Sequence, residues 1–192
     1  QDKNVSFISN WLNSKSGISV EEVRIIPDNE KIIINNILGL SKNFKYVFTT
    51  GGIGPTHDDI TAQSISKAFR LKYEYHKEAY SILEKYYGKK NFNLGRKKMS
   101  KMPRSSKLIY NPSSAAPGFF VKNVFCLPGV PSILKSMLGG LKNRIIGGQP
   151  ILSHTISLRT VESEIANSLT KVQNKNKDVE IGSYPFFQAG KL

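Results

Sequence analysis

The chain of 192 residues carries 28 Lys and Arg against 14 Asp and Glu, which gives a formal net charge of +14 at pH 7. Hydrophobic residues make up 39% of it, which argues against disorder. The single cysteine excludes an intramolecular disulfide and a cysteine-rich zinc site, and no apolar run approaches the roughly 18 residues of a membrane span. We therefore expect a cytoplasmic protein with anionic partners, such as nucleotides, phosphorylated cofactors or nucleic acid, and none in the membrane.

The first 50 residues predict two helices and two strands. Apolar residues at helical spacing indicate a helix over residues 5–14, which Gly17 ends. The alternating and β-branched residues 18–26 predict a strand, and Asp28 is expected to cap a second helix. The short apolar run at residues 46–50 is typical of a buried parallel strand.

The middle of the chain continues this alternation. Helical patterns cover residues 60–71, 77–87 and 131–145, and residues 107–111 and 124–129 have the composition of strands. Strands and helices that alternate across short loops indicate a layered α/β fold with a mostly parallel sheet.

The pattern restarts after Gly147 and Gly148. Residues 153–158 predict a strand, residues 162–173 a helix and residues 179–185 another strand. We therefore divide the chain into a first domain, residues 1–147, and a small β-α-β appendage, residues 148–192.

The run TTGGIGPTHDDIT, residues 49–61, joins the buried strand to the next helix. Gly51, Gly52 and Gly54 allow a sharp turn and a close approach to a ligand. In open α/β sheets, ligands bind outside the carboxyl ends of the strands, and a helix N-terminus attracts anions. The run lacks the Lys of a P-loop and the third glycine of a dinucleotide fingerprint, so neither standard phosphate motif explains it.

Two adjacent acids, Asp58 and Asp59, close this glycine loop. One interpretation is structural, with Asp58 capping the helix and Asp59 supporting its first turn. The other is a divalent cation, because Mg²⁺ binds one or two carboxylates together with ligand phosphate oxygens and so cancels the repulsion between acid and phosphate. His57 serves either as a proton carrier or metal ligand, or as a hydrogen-bonding loop residue.

These motifs, taken in order, resemble the molybdopterin-binding MoaB/Mog-like domain family. The glycine loop is most similar to the branch found in the competence/damage-inducible protein CinA and in the N-terminal part of FAD synthases. The segments at residues 27–32, 116–119 and 127–131 resemble the family's strand-to-helix junction, its Ala-Pro-Gly-Phe segment and its Leu-Pro-Gly-Val-Pro segment. Residues 182–187 resemble the small α/β segment that follows this domain in both proteins.

The resemblance implies a three-layer α/β/α sandwich with a pocket for a pterin or a nucleotide diphosphate. It implies a divalent metal (Mg, Mn or Co) at Asp59 and Asp58, catalysis by these acids and His57, and a homo-oligomer. It also implies hydrolysis of the pyrophosphate of ADP-ribose or FAD, or molybdopterin as the ligand. The implied ligand-binding residues are Gly51, Gly52, Gly54, Thr56, Arg96, Ser113, Ser114, Gly118, Pro128 and Gly129.

The family begins with a strand and a Gly-Asp-Glu loop, and the first residues of this chain resemble the end of that loop. We therefore expect the sheet to lack this strand and the pocket to lack this acid. The last residues fall within the appendage, which we expect to be truncated.

A basic and aromatic segment, residues 86–104, allows two interpretations. Interleaved aromatic and cationic side chains can stack nucleic-acid bases and hold phosphates. Alternatively, Asn93, Arg96, Met99 and Pro103 match the family's pattern beside the pocket, where Arg96 clamps a ligand phosphate or fixes the loop. We prefer the second and expect no nucleic-acid binding, since the appendage has no Gly-x-x-Gly loop. Three functions remain: a nucleotide pyrophosphatase, molybdenum-cofactor synthesis, or a non-catalytic module that binds nucleic acid or a partner.

Overall fold

The computed structural model describes residues 3–149 and 152–185, and the chain divides into two compact units, residues 1–151 and 152–192. The helices of the first unit are α1 (Lys3–Ser16), α2 (Glu30–Asn43), α3 (Thr61–Ala68), α4 (Lys77–Tyr87), α5 (Leu94–Lys98) and α6 (Pro131–Leu138). Its strands are β1 (Val47–Thr50), β2 (Tyr73–Tyr75), β3 (Lys101–Pro103), β4 (Lys107–Ile109), β5 (Gly118–Val121) and β6 (Val124–Leu127). Short 3-10 turns follow α4 and α6.

The central sheet has the strand order β1-β6-β5-β4. β1 and β6 run parallel, with Val47 opposite Val124, whereas β5 runs antiparallel to both β6 and β4. The predicted mostly parallel sheet is therefore wrong for the β4–β5–β6 side. The reason is the tight turn at Lys122 and Asn123, which leaves no room for a crossover helix between β5 and β6.

Helices cover both faces of this sheet, which confirms the α/β sandwich. Successive residues of β6 alternate between two cores: Val124 and Cys126 pack with residues of α2 and α3, and Phe125 and Leu127 pack with residues of α1 and α6. Because both faces are buried, the strand is apolar at every position.

Most helices of the first unit follow the predictions. α4 has the predicted bounds, and α1 ends before Gly17, whose φ of +56° lies in the left-handed region. The predicted cap of α2 is wrong by one residue: the side chain of Asn29, not Asp28, accepts the hydrogen bond from the Ile32 amide (3.2 Å). The helix predicted over residues 131–145 ends at Leu138 and continues as a 3-10 turn.

The strand predicted over residues 18–26 does not form. The segment pairs with no strand among the described residues, and Ile25 remains 85% exposed. A cavity of about 860 Å³ lies between this segment and β1, lined by apolar residues of α1 and α2. An alternating sequence forms a strand only when a neighbouring backbone supplies the ladder hydrogen bonds. Here a cavity lies where that neighbouring backbone would be.

The second unit contains α7 (Glu162–Lys175). The strands predicted on either side of it do not form, and their residues face solvent: Ile156 is 74% exposed and Val179 52%. Instead the side chain of Gln173 bonds the backbone of the second segment, donating to the Val179 carbonyl (2.7 Å) and accepting from the Ile181 amide (2.8 Å). Across both described ranges, no helix has the length and apolar character needed to cross a bilayer.

Candidate functional site

Three loops meet at one edge of the central sheet. The glycine loop, residues 51–60, follows the carboxyl end of β1, and residues 128–130 follow the carboxyl end of the parallel strand β6. Residues 110–117 link the end of β4 to the start of β5, and Gly118 is paired with Ile109 at this same end. The topology therefore places the glycine loop and the predicted Ser113, Ser114, Pro128 and Gly129 at the same edge of the sheet.

The glycine loop is held against the loop after β6. Gly51 donates its amide to the Leu127 carbonyl (2.9 Å), and a Cβ at Gly129 would lie 3.3 Å from the Gly51 Cα. The Asn4 side chain of α1 donates to the Gly129 carbonyl (2.8 Å). These contacts fix two of the predicted ligand-binding segments next to each other.

Backbone conformation explains the glycine at position 52. Its φ is +68°, and a Cβ there would stand 2.0 Å from the Thr61 Oγ1, so no other residue fits without displacing the start of α3. The Gly52 carbonyl accepts from the Thr61 amide (3.0 Å). The first amide of α3 is therefore already bonded to the loop.

Asp59 turns back into the loop. Its Oδ2 accepts hydrogen bonds from the Thr56 amide (2.9 Å) and from the Thr56 hydroxyl. A Cβ at Gly54 would lie 2.6 Å from this same oxygen, so the glycine gives the carboxylate its room. The predicted residues Gly54, Thr56 and Asp59 thus form one hydrogen-bonded turn.

Asp58 is fully exposed at the tip of the loop. The pKa of the Asp58 carboxyl is lowered below its ordinary value of 3.8 by the Thr56 hydroxyl, by the Asp58 backbone amide and by the nearby His57 and Lys98. The structural interpretation of the two acids is wrong in one respect: neither caps α3, which begins after Ile60 without a side-chain cap. Asp58 and its neighbour in the sequence, His57, are both exposed to solvent.

The loop before β5 is organised by Asn111. Its side chain accepts from the Ser113 and Ser114 amides (2.9 and 3.1 Å) and donates to the Ala116 carbonyl (2.9 Å). The Ser113 hydroxyl donates to Ser136 of α6 (2.9 Å). Asn111 is a site-shaping residue that the sequence analysis missed, although an Asn before Pro-Ser-Ser is a recognisable turn signal.

Two predicted residues make contacts that do not involve the three loops. Gly118 is buried within the sheet, where a Cβ would meet the Cys126 carbonyl at 2.5 Å, so it faces packed backbone. The Arg96 guanidinium carbon lies 4.1 Å from the centre of the Tyr87 ring, and its Nη1 donates to the Asn91 carbonyl. This geometry is that of a residue fixing its own segment.

The basic segment does reach the glycine loop, through a different side chain. The Lys98 Nζ donates to the Thr56 carbonyl. Lys98 could not be singled out from the sequence, because its position relative to the loop depends on how α5 packs.

The described residues contain no group of three or more His, Cys, Asp or Glu side chains placed to hold a metal ion. The carboxylates of Asp58 and Asp59 are the oxygen donors of the glycine loop. This small donor set suits a cation such as Mg²⁺, which binds through one or two carboxylates and takes its remaining ligands from phosphate and water.

Two family models match the chain. One, described as "Probable molybdopterin binding domain", matches residues 1–154, and the other, described as "FAD synthase, middle domain", matches residues 150–192. A protein of Archaeoglobus fulgidus is 37% identical over 172 residues, which is 90% of this chain and 73% of the relative.

Two relatives carry the name CinA. A CinA-like protein of Sulfurihydrogenibium is 37% identical over 145 residues, 71% of this chain and 36% of that protein. The solved structure of CinA from Thermoplasma acidophilum superposes with a TM-score of 0.69 at 31% identity, covering 74% of this chain and 87% of that one. The CinA structure agrees with the α/β fold of the first unit.

Proposed function

This chain belongs to the molybdopterin-binding domain family, and on that premise we propose that it binds a nucleotide diphosphate with a divalent cation at the glycine loop and hydrolyses it. The substrates we infer are ADP-ribose and FAD. Water adds to one phosphorus, the bridging P–O bond breaks, and the two products each keep one phosphate, so AMP leaves with ribose 5-phosphate or with FMN.

The observation that carries this proposal is the division of labour between the two acids. Asp59 is committed to the Thr56 turn, whereas the carboxyl of Asp58 is exposed and has a pKa below its ordinary value of 3.8. An ionised carboxylate at the tip of a loop that also offers close backbone approach suits a cation and a diphosphate together. The net charge of +14 favours an anionic substrate in the same way.

Asp58 would hold the cation, with Asp59 as the second donor. When bound, such a metal polarises a phosphoryl oxygen and offsets the charge that develops on it. The residues of this chain orient the substrate: Gly51, Gly52 and Gly129 allow its phosphates to approach the backbone. His57 is exposed next to Asp58 in the sequence. It orients the attacking water and accepts a proton from it.

A second candidate is binding of molybdopterin without hydrolysis. It is favoured by the description of the family model that matches residues 1–154. The match of residues 150–192 to the middle domain of FAD synthase instead favours a flavin or adenine nucleotide as the ligand. ADP-ribose and FAD are such nucleotides, so we prefer the first candidate.

The test is AMP release from ADP-ribose and from FAD with Mg²⁺, Mn²⁺ or Co²⁺. We expect turnover in the unaltered protein and a loss of about 100-fold in Asp58→Asn, which removes the negative charge and keeps the size of the side chain. Asp178→Asn removes an exposed acid of the second unit and should leave turnover unchanged.

Asp59→Asn is the companion variant, since it tests the second donor. Absence of AMP with every metal, while ADP-ribose still binds, would contradict hydrolysis and leave ligand binding as the function. Turnover that survives in both acid variants would contradict the placement of the cation.

A further inference from the structure

The short helix α5 packs directly against the glycine loop. Asn93 caps it by accepting from the Arg96 amide (3.0 Å). A Cβ at Gly95 would lie 3.3 Å from the Pro55 carbonyl oxygen, so the backbone of α5 approaches the tip of the loop closely. The helix therefore packs against the loop.

The three basic residues of α5 point in different directions. Arg96 stacks on Tyr87, and the Lys97 ammonium lies 5.8 Å from the centre of the Phe92 ring. Lys98 instead donates to the Thr56 carbonyl within the loop. Across residues 3–149 and 152–185, no other Lys or Arg donates a hydrogen bond to residues 51–59.

We propose that Lys98 binds a phosphate of the ligand at the glycine loop, and that its bond to Thr56 holds the ammonium in place before the ligand arrives. This inference rests on the proposed function, because it assumes that the diphosphate lies at the loop. Lysine has three N–H donors and no acceptor, so one bond to Thr56 leaves two donors for phosphate oxygens. The side chain is half-buried, which restricts its freedom in advance and strengthens a charge-assisted hydrogen bond.

Lys98 also reduces the electrostatic repulsion between the glycine loop and a phosphate. The loop presents two carboxylates, which repel a phosphate when no cation is bound. Thr56 lies between Pro55 and these acids in the sequence. The Lys98 ammonium, bonded to the Thr56 carbonyl, therefore offsets part of this repulsion. We therefore expect Lys98 to govern affinity for the phosphates and not for the nucleoside.

The experiment compares Lys98→Met, Lys98→Arg and the matched control Lys97→Met in the full chain. Binding of ADP-ribose and of adenosine is measured by titration calorimetry with Mg²⁺, beside AMP release. We expect Lys98→Met to weaken ADP-ribose binding about tenfold, the effect of one charge-assisted hydrogen bond, and Lys98→Arg to restore most of it. Adenosine binding should stay the same in all variants, and Lys97→Met should match the unaltered protein.

Three results would overturn the inference. These are ADP-ribose affinity unchanged in Lys98→Met, an equal loss for adenosine, and no ADP-ribose binding by the unaltered protein. Normal AMP release with an unchanged affinity in Lys98→Met would leave the proposed function standing. Binding that depends on Lys98 without AMP release would reject hydrolysis and support Lys98.

Discussion

The first unit has a buried apolar core, whereas the apolar residues of the second unit are largely exposed. In the first, Leu127, Leu134 and Met137 are completely buried between the sheet and its helices. In the second, Leu158 is 61% exposed, and every described residue retains some exposure around the single helix α7. Strands formed where a neighbouring backbone and two covering layers were available, and the loops that follow them are fixed by this frame. The candidate site accordingly lies in the first unit.

The largest expected effect comes from deleting the same side chain in each unit. Leu134→Ala leaves a void in the core and should lower the free energy of unfolding by about 3 kcal/mol. Leu158→Ala removes an exposed side chain and should change it by less than about 0.5 kcal/mol. Urea unfolding followed by circular dichroism measures both, and the fluorescence of Trp11, which packs against the same core as Leu134, reports the first unit separately. Equal losses would contradict the contrast between the units.

Glycine substitutions sharpen the comparison at the level of the backbone. Gly52→Ala forces a positive φ on a residue with a side chain and crowds Thr61, so we expect a loss of about 2 kcal/mol together with weaker ligand binding. In Gly182→Ala the new methyl meets only the ring of the exposed Tyr184, which can move aside. Its unfolding midpoint should match the unaltered protein, and a shift as large as that of Gly52→Ala would refute the assignment.

The smallest expected effect is the pH dependence that Cys126 contributes. Burial raises the pKa of its thiol from 9.0 to about 12, so the folded state keeps a proton that the unfolded state releases. The thiol's contribution to stability is therefore complete below pH 9 and falls as the pH rises towards 12. The free energy of unfolding should drop about 1 kcal/mol more between pH 8 and 10 in the unaltered protein than in Cys126→Ala. Parallel pH profiles would mean that the thiol is accessible in the folded state.

Much of the first unit could be predicted, because local pattern and tertiary packing agree there. The apolar run of β6 and the helical spacing of Ile8 and Leu12 in α1 both correspond to buried faces. Residues 18–26 have an equally good strand pattern, and they fail because pairing depends on a partner that sequence periodicity does not reveal. β5 was missed because its start, Gly118, gives no strand signal and needs the antiparallel neighbour β4.

The candidate site divides in the same way. The resemblance to the family put Gly51 and Gly129 in one pocket, and the parallel pairing of β1 with β6 explains why they are neighbours. The bond of Asp59 to Thr56 and the reach of Lys98 depend on side-chain geometry across a turn and between two elements. Neither spacing nor composition encodes such contacts.

The most direct measurement of the central claim is an amide NMR titration of the chain with ADP-ribose and Mg²⁺. We predict that the largest shifts fall on residues 51–59 and on Gly129, with smaller ones at residues 113–116, because these loops share one edge of the sheet. Shifts confined to residues 86–92 or to the second unit, or no shifts at all, would contradict a ligand site at the glycine loop.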